Sequence, residues 1–107
     1  MTQLPASELS AWLADGARKA PLLLDVREPW EYEICRIPGS RLMPMGSIGA
    51  SLESIDDSLP IVCICHHGAR SLQVAFALER QGMREVYNLA GGLAAWARQV
   101  DPTMATY

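Results

Sequence analysis

Two short unbroken apolar runs constrain this chain more than any other feature: "PLLLDV" over 21–26 and "IVCIC" over 61–65. Runs of four or five apolar residues have the length of strands, and the absence of alternation marks strands covered on both faces. The first follows Pro21 and ends in Asp25, and the second ends in Cys65.

Helical patterns fall between such runs. "PASELSAWLADG" predicts a helix capped at Ser7, with Leu9, Trp12 and Leu13 at helical spacing and a stop at Gly16. "EPWEYEI" predicts a short helix, "RIPGS" a turn at Pro38 and Gly39, "RLMPM" a short strand interrupted by Pro44, and "SIGASLESI" a short helix weakened by Gly49. After "IVCIC" a helix is expected through "ARSLQVAFALERQG", with Leu72, Ala75, Phe76 and Glu79 recurring on one side and Gly82 ending it. "EVYNL" predicts another strand and "GGLAAWARQV" a last helix, while "DPTMATY" over 101–107 reads as a loose tail. Strands alternating with helices define an α/β domain, a parallel sheet with helices on both faces. Ligands bind such sheets outside the carboxyl ends of the strands, where Cys65 falls.

A chain of 107 residues makes one domain over 1–107, and its 50% hydrophobic and 20% charged residues are a globular balance. The net charge of −3, with scattered Lys and Arg, argues against nucleic acid as a partner. No apolar stretch is long enough to span a bilayer, so no membrane partner is expected. "MTQLPASELS" lacks the pattern of a signal peptide, which predicts a cytoplasmic location. Three cysteines at irregular spacing are a poor disulfide framework and read as thiols. Trp12, Trp96 and Phe76 read as packing residues and Met43 and Met45 as gap fillers. Gly91 and Gly92 lack the rest of any phosphate-loop pattern.

The chemistry concentrates in "CHHGARS", residues 65–71. Cys63, inside the apolar run, reads as a small core hydrophobe. Cys65 is different, because it stands where the strand stops and a helix is about to start. A loop curling over 65–70 aims several backbone N–H groups into one concavity, and the positive end of the following helix adds to them. A thiol placed there is expected to ionise more readily than a free one. Gly68 suits a tight turn, and Arg70 either binds an incoming anion or braces the loop against a carboxylate.

These residues resemble the rhodanese family of sulfurtransferases. "LLLDVREPWEYEICRIPGS" is similar to the family's entry motif, "CHHGARS" to its active-site loop and "VYNLAGGLAAW" to its closing signature, in the family's order. The resemblance implies a rhodanese-like fold, a five-stranded parallel sheet flanked by helices on both faces. It implies that Cys65 takes a sulfur atom from a donor such as thiosulfate, carries it as a persulfide and passes it to a thiol or protein acceptor. The backbone of His66, His67, Gly68, Ala69 and Arg70 would hold the sulfur and the departing anion, with no metal and no organic cofactor. Asp25 and Arg27 would brace the site, with an ion pair to an acid such as Glu33, and Ser71 would support the loop.

Three other readings compete. A cysteine phosphatase uses a similar loop, but with five residues between Cys and Arg where this chain has the four of "HHGA". A metal site would draw on Cys63, Cys65, His66 and His67, yet adjacent histidines converge poorly on one ion and no second pair completes a set. A binding or regulatory module that keeps the fold without turnover is the third, against which the pairing of Cys65 with Arg70 counts. Cys35 and Arg36 stand where the family usually has Gly-His, and the new thiol raises the hypothesis that Cys35 resolves an oxidised Cys65.

Overall fold

The computed structural model describes all residues 1–107. One sheet runs through it, built from β1 (Thr2–Leu4), β2 (Leu22–Asp25), β3 (Arg41–Leu42), β4 (Ile61–Ile64) and β5 (Val86–Leu89), in the order β1-β5-β4-β2-β3. Every pairing is parallel, so each connection needs a crossover. Helices α1 (Ala6–Ala14), α2 (Pro29–Ile34), α3 (Ile48–Ser51) and α4 (Ala69–Arg80) lie on those crossovers and α5 (Gly92–Gln99) follows the last strand, with short 3-10 turns at Met45–Ser47 and Leu52–Ser54 flanking α3. This is the α/β architecture with a five-stranded parallel sheet that the apolar runs and the family resemblance led us to expect.

The two-residue period of a strand divides the core into two layers. In β4, Val62 and Ile64 pack with Leu9, Trp12, Leu93 and Trp96 beneath α1 and α5. Ile61, Cys63 and, one residue beyond the strand, Cys65 pack on the other side with Val74, Ala75 and Leu78 of α4. Each fully buried side chain of this size contributes about 1.5–3 kcal/mol through apolar area removed from water. The same alternation that builds the core therefore turns Cys65 toward α4.

Several expectations are corrected. β1 was not expected: Thr2 and Gln3 are exposed and only Leu4 is buried, so this edge strand carries no apolar run. Helix α1 begins at Ala6 behind Pro5, not at a Ser7 cap. The buried face of α4 is Ser71, Val74, Ala75 and Leu78, and Phe76 is 46% exposed. The anchoring of Ser71 beneath the loop sets the rotation of α4, which turns Phe76 outward. Within residues 101–107, expected to form a tail, Met104 packs against the α1–α5 layer and the Tyr107 side chain reaches back to Arg27 and Glu31. Isolated side-chain contacts on irregular backbone leave no periodic trace in a sequence.

Candidate active site

Beyond β4 the chain leaves the sheet at Cys65 and reverses at Gly68, whose φ of 101° is a left-handed conformation natural to glycine. A Cβ there would also meet the Gly91 nitrogen at 3.3 Å. The turn lets α4 start at once and places the Gly68 N–H 3.0 Å from the Cys65 sulfur, to which it donates. The N–H groups of His66, His67, Ala69, Arg70 and Ser71 find no acceptor within the chain. A six-residue loop rich in unused donors thus surrounds the sulfur of Cys65, a residue that is 1% exposed.

The carbonyls of this loop are held from behind. Leu93 and Ala94, in the first turn of α5, donate their N–H groups to the carbonyls of Cys65 and His66 at 2.9 and 3.0 Å. The approach is so close that a Cβ on Gly92, itself at φ 61°, would lie 2.4 Å from the His66 oxygen and 2.5 Å from the Cys65 oxygen. The paired glycines set aside as an incomplete phosphate motif are therefore part of the site's frame.

Arg70 closes the loop onto α2. Its guanidinium donates to both oxygens of Glu31 at 2.7 and 2.8 Å, and the Tyr107 hydroxyl donates to the same carboxylate at 2.6 Å. The Arg70 bonds, helped by Tyr107 and the Glu28 N–H and opposed by burial, lower the Glu31 carboxyl to about 2. The same pair raises Arg70 above its ordinary value, against the opposing effect of burial. Arg70 is thus paired with a carboxylate, the Glu31 side chain of α2.

Arg27 is completely buried. Its Nε and Nη2 donate to Asp25 at 2.9 and 2.8 Å, and its remaining N–H groups go to the Glu31 and Cys35 carbonyls and the Tyr107 oxygen. The acid expected to pair with Arg27, Glu33, is exposed on α2 and takes no part. Asp25 holds Arg27, and Glu31 holds Arg70, so two ion pairs stand where one was expected. Position on α2 separates the two acids: Glu31 is buried with its carboxylate on Arg70, while Glu33, two residues on along the helix, faces solvent.

The two histidines form a stack. The His66 ring lies 4.0 Å from that of His67 on one side and 4.0 Å from Tyr107 on the other. Burial first, and then the neighbouring His67, lowers the His66 imidazole below its ordinary value and favours its neutral form. His66, His67, Cys35, Arg98 and Tyr107 line a cavity of about 290 Å³ beside the loop. Cys35 packs against the α1–α5 layer and Cys65 within the α4 layer, so the two thiols belong to different sides of the core. Cys63 is fully buried, and desolvation above all pushes its thiol up to about 12, as suits a core residue.

Ser71, in the first turn of α4, is fully buried with its Oγ 3.2 Å from the Cys65 sulfur and 2.5 Å from Asn88 Oδ1. Asn88 on β5 is 1% exposed and donates to the Gly68 carbonyl at 3.1 Å. Sequence reasoning missed Asn88, Glu31, Tyr107 and Gly92. Asn88 left a signal as the one amide in the strand "VYNL", and Gly92 as one of the paired glycines; Glu31 and Tyr107 left none.

A buried cysteine at the carboxyl end of a parallel strand, in a short loop of free amides closed by an ion-paired arginine, is the centre of this α/β domain. Residues 5–99 match the rhodanese-like domain family, and the chain belongs to it. It is 36% identical over 105 residues to a sulfurtransferase of Allochromatium vinosum, covering 98% of this chain and 96% of that one. It is also 40% identical over 89 residues to the rhodanese-like/PpiC domain-containing protein 12, chloroplastic, of Arabidopsis thaliana, covering 79% of this chain. The match takes in 30% of that plant protein, so the chain corresponds to less than a third of its length. The crystal structure of a Staphylococcus saprophyticus protein superposes with a TM-score of 0.84 at 30% identity, over 94% of this chain and 97% of that one. Family and relatives together support sulfur transfer as the general class of chemistry.

Proposed function

We propose that this domain is a sulfurtransferase that moves sulfane sulfur from a donor such as thiosulfate to a thiophilic acceptor through a persulfide on Cys65. The observation that carries the reading is the Cys65 sulfur held at 3.0 Å by the Gly68 N–H inside a loop whose other amides have no acceptor in the chain. Such a loop stabilises negative charge on sulfur and on a departing anion, and it requires no reorganisation as that charge moves.

In the first half-reaction the Cys65 thiolate attacks the outer sulfur of thiosulfate. The S–S bond of the donor breaks, and sulfite leaves with the bonding electron pair. In the second, an acceptor nucleophile attacks the terminal sulfur of the persulfide and Cys65 departs as thiolate, so the kinetics are ping-pong. The acceptor is a small thiol or a thiol on a protein. Sulfite and thiolates leave without protonation, and no step calls for a metal or an organic cofactor. His66 and His67 shape the cavity beside the loop, and Asp25, Arg27 and Ser71 hold its frame.

A phosphatase reading fits less well. The shorter loop makes a tighter cradle, and the fork of Arg70 that would clasp a phosphate is engaged with Glu31.

Intact mass of the reduced protein after thiosulfate treatment tests the proposal. A gain of one sulfur atom that cyanide removes is expected in the parent, Cys35→Ser and Cys63→Ser proteins and not in Cys65→Ser. Failure of the folded parent protein to take up sulfur from thiosulfate and from a persulfide donor alike would falsify it and favour a binding module.

A further inference from the structure

We infer that Asn88 is a positioning residue that decides where the Ser71 hydroxyl proton lies, and through it how readily Cys65 reacts. The argument is an inventory of hydrogens. Asn88 Nδ2 has two, and it donates to the Gly68 carbonyl at 3.1 Å and to Gln3 Oε1 at 2.9 Å. A carbonyl only accepts, so the Asn88 amide is locked in this orientation and Oδ1 faces Ser71 with lone pairs alone.

Ser71 Oγ carries a single hydrogen and lies between two acceptors, Asn88 Oδ1 at 2.5 Å and the Cys65 sulfur at 3.2 Å. The shorter contact takes the proton while Cys65 is a thiol, and the Cys65 S–H then donates to the lone pair of Ser71 Oγ. All three residues are buried, and the Ser71 hydroxyl and the Asn88 amide are both satisfied. An anionic sulfur draws the Ser71 proton to itself and leaves Asn88 Oδ1 buried and unpaired, which is costly. Asn88 therefore competes with an anionic sulfur for the serine proton, while the Gly68 N–H faces the sulfur throughout.

The sign of this effect is the opposite of what a purely supporting serine gives. A hydroxyl that simply donates to a thiolate makes Ser71→Ala slow at thiol chemistry, by about tenfold or more. Here Ser71→Ala removes the acceptor of the thiol proton and is expected to speed it, by about twofold.

The test is the rate of alkylation of Cys65 by iodoacetamide at neutral pH, followed by peptide mass so that Cys35 and Cys63 are counted separately. Asn88→Val frees the Ser71 proton for the sulfur and is expected to raise the rate about tenfold. In the Asn88→Val, Ser71→Ala double variant the rate returns to that of Ser71→Ala alone. A tenfold slowing in Ser71→Ala, or an Asn88→Val effect of equal size with and without Ser71, overturns the inference.

The infrared S–H stretch of Cys65, isolated by difference against Cys65→Ser, serves if Asn88→Val does not fold. It is expected at the hydrogen-bonded end in the parent protein and at higher frequency in Ser71→Ala, and an unchanged frequency overturns the inference too. The inference concerns the nucleophile on which the proposed sulfur transfer depends. Neither measurement needs a sulfur donor, so the two ideas fail separately.

Discussion

Glu31 and Arg70, 39 positions apart in the chain, meet in two parallel bonds of 2.7 and 2.8 Å, and the same carboxylate also accepts the Glu28 N–H and the Tyr107 hydroxyl. Four donors on two oxygens fix the last residue of the cysteine loop to a helix from the other half of the chain. The planar fork of arginine is what makes the contact bidentate, and an ammonium cannot reproduce it.

Arg70→Lys is therefore expected to loosen the loop without removing its charge. Stopped-flow measurement of sulfur uptake from thiosulfate should show a rate about tenfold below the parent protein's, the size of effect that follows from a misplaced group of free amides. A rate within twofold of the parent's would mean that α4 alone holds the loop.

The Glu31 carboxyl, lowered from 4.5 to about 2, links stability to acid. Its folded value lies below its unfolded one, so its contribution is complete above about 4.5 and is lost as the pH falls toward 2. Arg70 is 38% exposed, and solvent screening keeps this contribution to about 2 kcal/mol. Urea denaturation at pH 7, 4 and 3 should show the decline, and Glu31→Gln should be less stable at pH 7 with a flatter acid profile.

Gly92→Ala sets a methyl group about 2.4 Å from the His66 carbonyl oxygen, in a left-handed backbone at φ 61°. Neither carbonyl can give way without releasing the loop from α5. A loss of about 2–4 kcal/mol is expected, from strain and from the displaced loop hydrogen bonds together. Thermal denaturation reads the stability, and mass after thiosulfate treatment should show little sulfur on whatever remains folded.

Cys63 provides an internal control on Cys65. It lies one side-chain repeat earlier on the same face of β4, fully buried, with a thiol pushed up to about 12. Iodoacetamide at pH 8 is expected to leave Cys63 unmodified in the folded protein and to reach it only in denaturant. Cys63→Ala should cost about 1–2 kcal/mol of stability for the lost buried sulfur and leave sulfur loading on Cys65 intact.

The fold was readable because "PLLLDV" and "IVCIC" are strands buried on both sides, and such strands announce themselves without reference to anything distant. The loop was readable for a related reason, since Cys65, Gly68 and Arg70 all lie within one local turn. Partners brought together by the fold were not. Glu31 and Glu33 are the same residue type two positions apart on α2, and only the direction each side chain takes separates the brace from a solvated charge. Tyr107 was read as part of a tail because the partners of its hydroxyl, Glu31 and Arg27, lie 76 and 80 positions away in the chain. β1 was overlooked because it forms only where β5 offers an edge, with two of its three side chains in water.

The two bonds from α5 to the carbonyls of Cys65 and His66 do more than pin the loop. All peptide bonds in the chain are trans, and in a trans peptide the carbonyl of one residue and the N–H of the next point in opposite directions. Tying the Cys65 and His66 oxygens to α5 therefore turns the N–H groups of His66 and His67 away from it. Each of these peptide units is polarised by the helix amide behind it, which makes its own N–H a stronger donor. Helix α5 contributes no side chain to the sulfur, yet the positive end of its dipole is relayed toward the loop through two peptide planes. A helix that never touches the reacting atom is in this way wired to it.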